Sequence, residues 1–273
     1  MSTTHFLPAT WTAARVPAQP LAASDSARLL WRLALVLALA AVPTALLLAL
    51  DDRMLGHFSV WTKPLKFQLA LAVQAATLAW ALGQFSPALR QWAMPRWLAI
   101  GFSTVAVYEA AYITLQGARG VASHFNRATP WESVAGTLMA SGAGVLVAVT
   151  LWVGLVALWQ ARQRRWAAMP LAIGLGFVLG AALAGWTGGA MGAARGYWPD
   201  PLVAPVQWMP VTGWVLSQAD LRISHFVGLH QMQMLPALAA LGLWAGWRPH
   251  VLRAALGGAS LIAIAAVILL RAA

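Results

Sequence analysis

The sequence contains no cysteine. Disulfides, thiolate metal sites, iron–sulfur clusters and cysteine nucleophiles are thereby excluded. Charge is scarce too: Asp, Glu, Lys and Arg make up 9% of the 273 residues, against about 25% in soluble domains. Acids are the rarer class, seven against eighteen basic residues, and Lys63 and Lys66 are the only lysines, so 18 − 2 = 16 are arginine. That bias, with heavy Ala, Gly, Pro and Trp use, points to a GC-rich bacterial coding background. There is no Gly-x-Ser-x-Gly elbow, no P-loop, no Gly-x-Gly-x-x-Gly after a strand and no HExxH. The common hydrolase, nucleotide-binding and zinc-protease signatures are therefore missing. Six histidines, with His5 and His250 peripheral, are too few for a histidine-rich di-iron desaturase.

What is present is apolar. Hydrophobic residues reach 60%, which makes the chain an all-α, polytopic integral membrane helix bundle. The net charge of +11 would suggest nucleic acid in a soluble protein. Here the cations sit between apolar segments, where they set orientation and meet anionic head groups. The expected partners are the lipid bilayer and a small-molecule or cofactor ligand; nucleic acid is not among them.

Residues 1–27 are polar and read as a short disordered tail. No small-residue cleavage site follows a signal-length apolar core, so Arg28 to Leu50 reads as an uncleaved helix. Residues 28–271 read as a single domain of about seven transmembrane helices, each long enough for about 30 Å of hydrocarbon. The later spans are Leu65–Phe85, Trp97–Gln116, Trp131–Trp159, Met169–Met191, Leu221–Trp244 and Val251–Leu270. Trp61, Trp92, Trp97, Trp131, Trp166 and Trp247 fall at span ends, as an interfacial aromatic belt requires. Ten Lys/Arg lie on the N-terminal side and eight on the other, and the Arg162-Gln-Arg-Arg165 run falls in a short loop on the former. Both features place the N-terminus inside a bacterial inner membrane, with the polar loops toward the outer face.

Those loops share one face. They carry Asp51, Asp52, His57, Lys63 and Lys66, then Arg119, His124, Asn126 and Arg127, then a Pro/Trp-rich segment at 192–220 that leads into Asp220 and Arg222. The last is long for a connection and reads as a packed lid. Gly117-Ala-Arg-Gly120 and Gly192-Ala-Ala-Arg-Gly196 are each followed by Ser-His-Phe, at 123–125 and 224–226, a faint internal echo.

The densest polar stretch runs from Asp220 to Pro236, at the start of span six. Polar and ionisable groups at membrane depth are costly and mark a bundle interior or a wet cavity. His225 and His230 stand about 140° apart around a helix, so they cannot serve one small ion unless the helix breaks. Pro236 is the expected kink. In span three, Glu109, Tyr112 and Gln116 form a stripe, and a lone carboxylate at that depth needs a partner or a proton. Lys63 and Lys66 either snorkel to head groups or hold an anionic ligand with Arg119 and Arg222. Ser133, Thr137 and Ser141 read as a small-residue packing face.

Three functions follow. In the first, a membrane oxidoreductase binds a b-type haem or a quinone through His124, His225, Arg119, Arg222, Lys63 and Lys66. In the second, a transporter or binding protein takes a small anionic or amphiphilic solute, with coupling protons on Glu109 and His230. In the third, a divalent-metal hydrolase uses His124, His225 and His230 as ligands, with Asp220 or Glu109 assisting. Glu109, His230 and Asp220 are the candidates for catalysis, and the first reading leads.

Overall fold

A computed structural model describes residues 24–194, 209, 212–215 and 220–272. Among the described residues the regular secondary structure is helical apart from one small hairpin. In order they form α1 (Asp25–Leu50), β1 (Met54–Leu55), β2 (Phe58–Ser59), α2 (Thr62–Gly83), α3 (Pro87–Arg90) and α4 (Ala93–Ala118). Then come α5 (Pro130–Gln163), α6 (Ala168–Ala193), α7 (Leu221–Leu229), α8 (Gln231–Trp244) and α9 (Pro249–Ala272). Among the described residues six helices are long and apolar enough to cross a membrane, or seven spans if α7 and α8, bent by 43°, count as one. The all-α membrane bundle expected from the sequence is the fold.

Several ends differ from the expectation. The first span starts at Asp25 and not Arg28, because the Ser24 hydroxyl caps it by accepting from the Ala27 amide at 3.3 Å. Ser26 and Ala27 are buried within it, so they do not belong to a tail; residues 1–23 lie outside the described residues. Most of the 192–220 segment, including Tyr197, Trp198, Trp208 and Arg195, lies outside them as well. Trp92, Trp97, Trp131, Trp166 and Trp247 are exposed, as belt residues are. Trp61 is not: it is buried, and its indole N–H donates to Asp51 Oδ2 at 2.7 Å.

The break in the sixth span falls at His230, six residues before Pro236, and α8 continues through the proline. Polar side chains occupy the carbonyls at the bend. Gln231 Nε2 donates to Val227 O at 2.8 Å, and His230 Nδ1 lies 2.9 Å from Phe226 O. A carbonyl only accepts, so that nitrogen carries the proton. In a bilayer interior no water would relieve a freed carbonyl. The Gln231 side chain serves Val227 O, while Phe226 O, which already accepts from the His230 amide at 3.1 Å, gains the His230 ring as a second neighbour.

Packing sets which loops meet. Leu30 and Leu33 of α1 join Leu82, Phe85 and Leu89 in the main core. Gln160 of α5 accepts from Ser86 N at 2.8 Å and donates to Gln84 O at 3.2 Å. Both contacts gather the start of α1 and the α2–α4 and α5–α6 connections at one end. At the other end, Arg53 donates to Ala118 O, capping the C-terminus of α4 at 2.9 Å. Gly117 of α4 sits where a Cβ would come within 2.8 Å of both Pro64 Cγ and Val60 O, so α4 and the start of α2 touch by backbone and ring. Lys66 Nζ donates to Thr212 O at 2.8 Å, which brings the segment before α7 to the same end.

Two smaller expectations fail. The Ser133/Thr137/Ser141 face does not pack: Thr137 and Ser141 are exposed, and Ala135, Met139 and Gly142 form the buried face of α5. The Ser-His-Phe echo is not a structural repeat. Residues 123–125 lie in a non-helical connection with Phe125 at φ 61°, whereas 224–226 are inside α7.

Candidate functional site

The N-terminus of α2 and the C-terminus of α4 meet through Gly117 and Pro64, and this contact carries the stripe of α4 under the lysines. Glu109, Tyr112 and Gln116 are all buried. Lys63, on the first turn of α2, lies within Coulombic range of Lys66, Glu109 and His124. Its ammonium stands 5.8 Å from the Phe67 ring centroid, and among the described residues it has no oxygen partner. Phe67 in turn packs against the His124 imidazole, with centroids 5.3 Å apart. Lys63, Glu109 and His124 thus come together from three separate segments.

Glu109 has an incomplete set of partners. Its Oε1 is buried without a hydrogen bond among the described residues and faces Gly142, where a Cβ would be 3.3 Å away. Tyr108 and Tyr112 stack beside it at 6.1 Å, and the Tyr108 hydroxyl donates to Ala135 O at 3.1 Å. His124 lies in the α4–α5 connection, where Ser123 Oγ stands 3.3 Å from its Nδ1. Burial first, and then the Lys63 ammonium, hold its imidazole down to about 3, so it is neutral near neutral pH.

A second network adjoins the first through Lys66, which lies within Coulombic range of Asp220 and Arg222. Asp220 caps α7, accepting from the Arg222 amide at 2.9 Å and from the Val215 amide at 3.0 Å. It also grips the Arg222 guanidinium through Nε at 2.8 Å and Nη2 at 2.6 Å. Arg222 Nη2 donates further to Gly213 O at 2.7 Å. Both carboxylate oxygens are therefore engaged in holding the 212–215 segment onto α7.

The remaining candidates have local partners. Arg119 donates to Gln116 Oε1 at 2.6 Å and pairs with Glu132 at 3.4 Å. Sequence reasoning passed over Glu132, although Thr129-Pro-Trp-Glu132 is a capping-box pattern: Glu132 N donates to Thr129 Oγ1 at 3.2 Å. His225 faces α6, with Nδ1 2.9 Å from Thr187 Oγ1. That hydroxyl donates to Leu183 O at 2.7 Å, so His225 is the donor to it. His230 lies on Phe226, ring centroids 3.9 Å apart.

The three histidines named as metal ligands therefore engage α2, α6 and the bend of α7 respectively. Among the described residues no three His, Asp or Glu side chains are grouped as metal ligands would be. The hairpin adds one more charge clamp. Arg53, and then the Trp61 indole, hold the Asp51 carboxyl well below the usual carboxylate range. Away from these networks a crevice of ≈ 360 Å³ opens between α1, α2 and α8, lined by Trp31, Thr77, Trp80, Gln233 and Pro236, and no candidate site residue borders it.

No family model matches the chain, and neither a curated protein nor a solved structure is significantly similar to it.

Proposed function

We propose that this membrane protein is a proton-linked carrier of a small organic anion, a carboxylate or phosphate monoester, which enters at the Lys63 end. The observation that carries this reading is the pair Lys63 and Glu109. Among the described residues the cation has no oxygen partner, the carboxylate beneath it has a buried Oε1 with no donor, and no ion pair joins them. Lys66 and Arg222 add positive charge around the same mouth, while the nearby acid Asp220 is committed to Arg222. An anion that meets the ammonium gains a Coulombic partner in a partly dehydrated setting. A proton on Glu109 removes the repulsion below. The broken span α7–α8 supports transport over static binding, because discontinuous helices line many carrier sites and give the backbone two arrangements. Asp220 and Arg222 hold the mouth in shape in this reading, and His230 belongs to the hinge.

A quinone-binding oxidoreductase is the second reading, and one observation favours it: a neutral His124 and the Lys63 ammonium flank the Phe67 ring, two donors of the kind a quinone carbonyl accepts. Haem and a three-histidine metal centre draw less support, since the histidines point to separate partners.

Proteoliposomes separate the readings. The carrier should accumulate labelled carboxylates or phosphate monoesters from a panel when an inward proton gradient is imposed. Glu109→Gln should keep exchange of solute for solute and lose the response to the gradient, and Lys63→Gln should raise KM. Inhibitor-sensitive quinone reduction without uptake of any anion would replace the carrier by the second reading.

A further inference from the structure

The end of the bundle opposite Lys63 carries cations of a different kind. Among the described residues, the ion pairs Arg53–Asp51, Arg119–Glu132 and Arg222–Asp220 belong to the Lys63 end. At the opposite end Asp25 is the one acid among the described residues, and it is spent on Arg28. Arg90, Arg96, Arg162, Arg164 and Arg165 have no carboxylate partner there among the described residues. The Nε of Arg90 is also buried without a hydrogen-bond partner among the described residues.

We propose that this arginine face binds the headgroups of anionic phospholipids, centred on the turn between α5 and α6. The turn is closed on its own backbone: Trp166 N donates to Ala161 O at 2.7 Å, and Arg164 N to Gln160 O at 3.1 Å. Arg165 and Trp166 hold left-handed φ values of 50° and 61°, which non-glycine residues seldom adopt. Arg162, Arg164, Arg165 and Trp166 are all exposed on this strained turn. The hydrogen bonds of Gln160 to Ser86 and Gln84 place the segment that carries Arg90 against the same turn. Guanidinium forks match phosphate oxygens, and unpaired ones at the ends of apolar spans face the headgroup layer. Trp166 and Trp92, both about half exposed, mark that layer. A bilayer lipid fits better than free phosphate, because its acyl chains would run down the apolar spans below. The same face then fixes orientation, with the arginine end on the leaflet richer in anionic lipid.

The test uses the full-length protein in neutral detergent, read by thermal unfolding. Phosphatidylglycerol should raise the midpoint, and the rise should shrink as salt is added. Phosphatidylcholine and inorganic phosphate should do little. Arg162→Gln/Arg164→Gln/Arg165→Gln should lose most of the shift, Arg90→Gln part of it, and Arg127→Gln, at the opposite end, none. The proposal is overturned if phosphatidylcholine raises the midpoint equally or if inorganic phosphate reproduces the whole effect. A triple variant that keeps the full shift would also end it. Should that variant not fold, a phosphatidylglycerol shift of the wild type that is indifferent to salt decides against the proposal.

Discussion

Gly176 of α6 faces the carbonyl oxygen of Gln231 so closely that a Cβ at 176 would stand 2.5 Å from it. The oxygen belongs to the first residue after the break in the sixth span, so α6 holds that break by direct backbone approach. A methyl group would have to push the bend away. Gly176→Ala should therefore destabilise by about 1–3 kcal/mol, the usual cost of overpacking. Gly189 on the same helix has open space around its Cβ position. Gly189→Ala should be neutral or gain up to about 1 kcal/mol from reduced chain entropy. Thermal unfolding of both variants checks the contrast, and equal effects would mean that the contact at 176 does not hold the bend.

Asp220 makes a second prediction, because its two candidate roles give opposite results. As a clamp, its side chain is fully buried and pairs with an Arg222 side chain that is 16% exposed. Asp220→Ala removes the cap of α7 and strands a partly buried guanidinium, at about 3–5 kcal/mol. Asp220→Asn keeps one acceptor oxygen, enough for the Arg222 amide on Oδ1 or the Val215 amide on Oδ2 but not for both, and should lose less than Ala. The expected order of unfolding midpoints is wild type, then Asn, then Ala. An Asn variant that loses activity with wild-type stability would make Asp220 a reacting group instead.

How far the sequence reached can be seen residue by residue. Apolar runs marked each span, since a bilayer leaves a helix little choice of composition, and the Glu109/Tyr112/Gln116 stripe came out buried on the face expected. The bend was attributed to Pro236, whose missing N–H is visible in any sequence. It sits at His230, where packing by Gly176 decides, and packing is a property of two distant segments. Trp61 looked like a belt residue because its partner Asp51 lies ten positions away across a hairpin whose paired strands are two residues each. Glu132 was readable from the Thr-x-x-Glu pattern, but its pairing with Arg119 depends on how α4 and α5 meet. The three histidines shared a face in the count of loops, yet each found a closer partner in its own surroundings.

His124 gives a dependence on pH with a definite sign. Its folded-state value is about 3 against an ordinary 6.5, set by burial and then by Lys63. Between these values the unfolded chain binds more protons than the folded one, so stability rises with pH. The contribution is complete above 6.5 and is lost progressively as pH falls toward 3. Replacement by Gln removes the titration, so the unfolding midpoint of His124→Gln should fall less steeply on acidification than that of the wild type. Parallel slopes would mean that the imidazole is not held neutral by its surroundings.

Lys63 and Glu109 should behave as a coupled pair in binding, and anion-induced stabilisation of the purified protein measures it. If the accompanying proton rides on Glu109, anion binding to the wild type weakens as pH rises, because the carboxylate then stands charged below the anion. Glu109→Gln imitates the protonated side chain, so it should bind the anion at least as tightly and with a flattened pH profile. Lys63→Met removes the cation that the anion meets, and binding should be lost at every pH. The decisive case is the double variant. With the ammonium gone, the neutral side chain at 109 has no bound anion to favour, so Lys63→Met/Glu109→Gln should match Lys63→Met alone. The two effects are then non-additive, as they are for groups that share one partner. Strictly additive changes would separate the residues into independent sites and remove the observation on which the carrier reading stands.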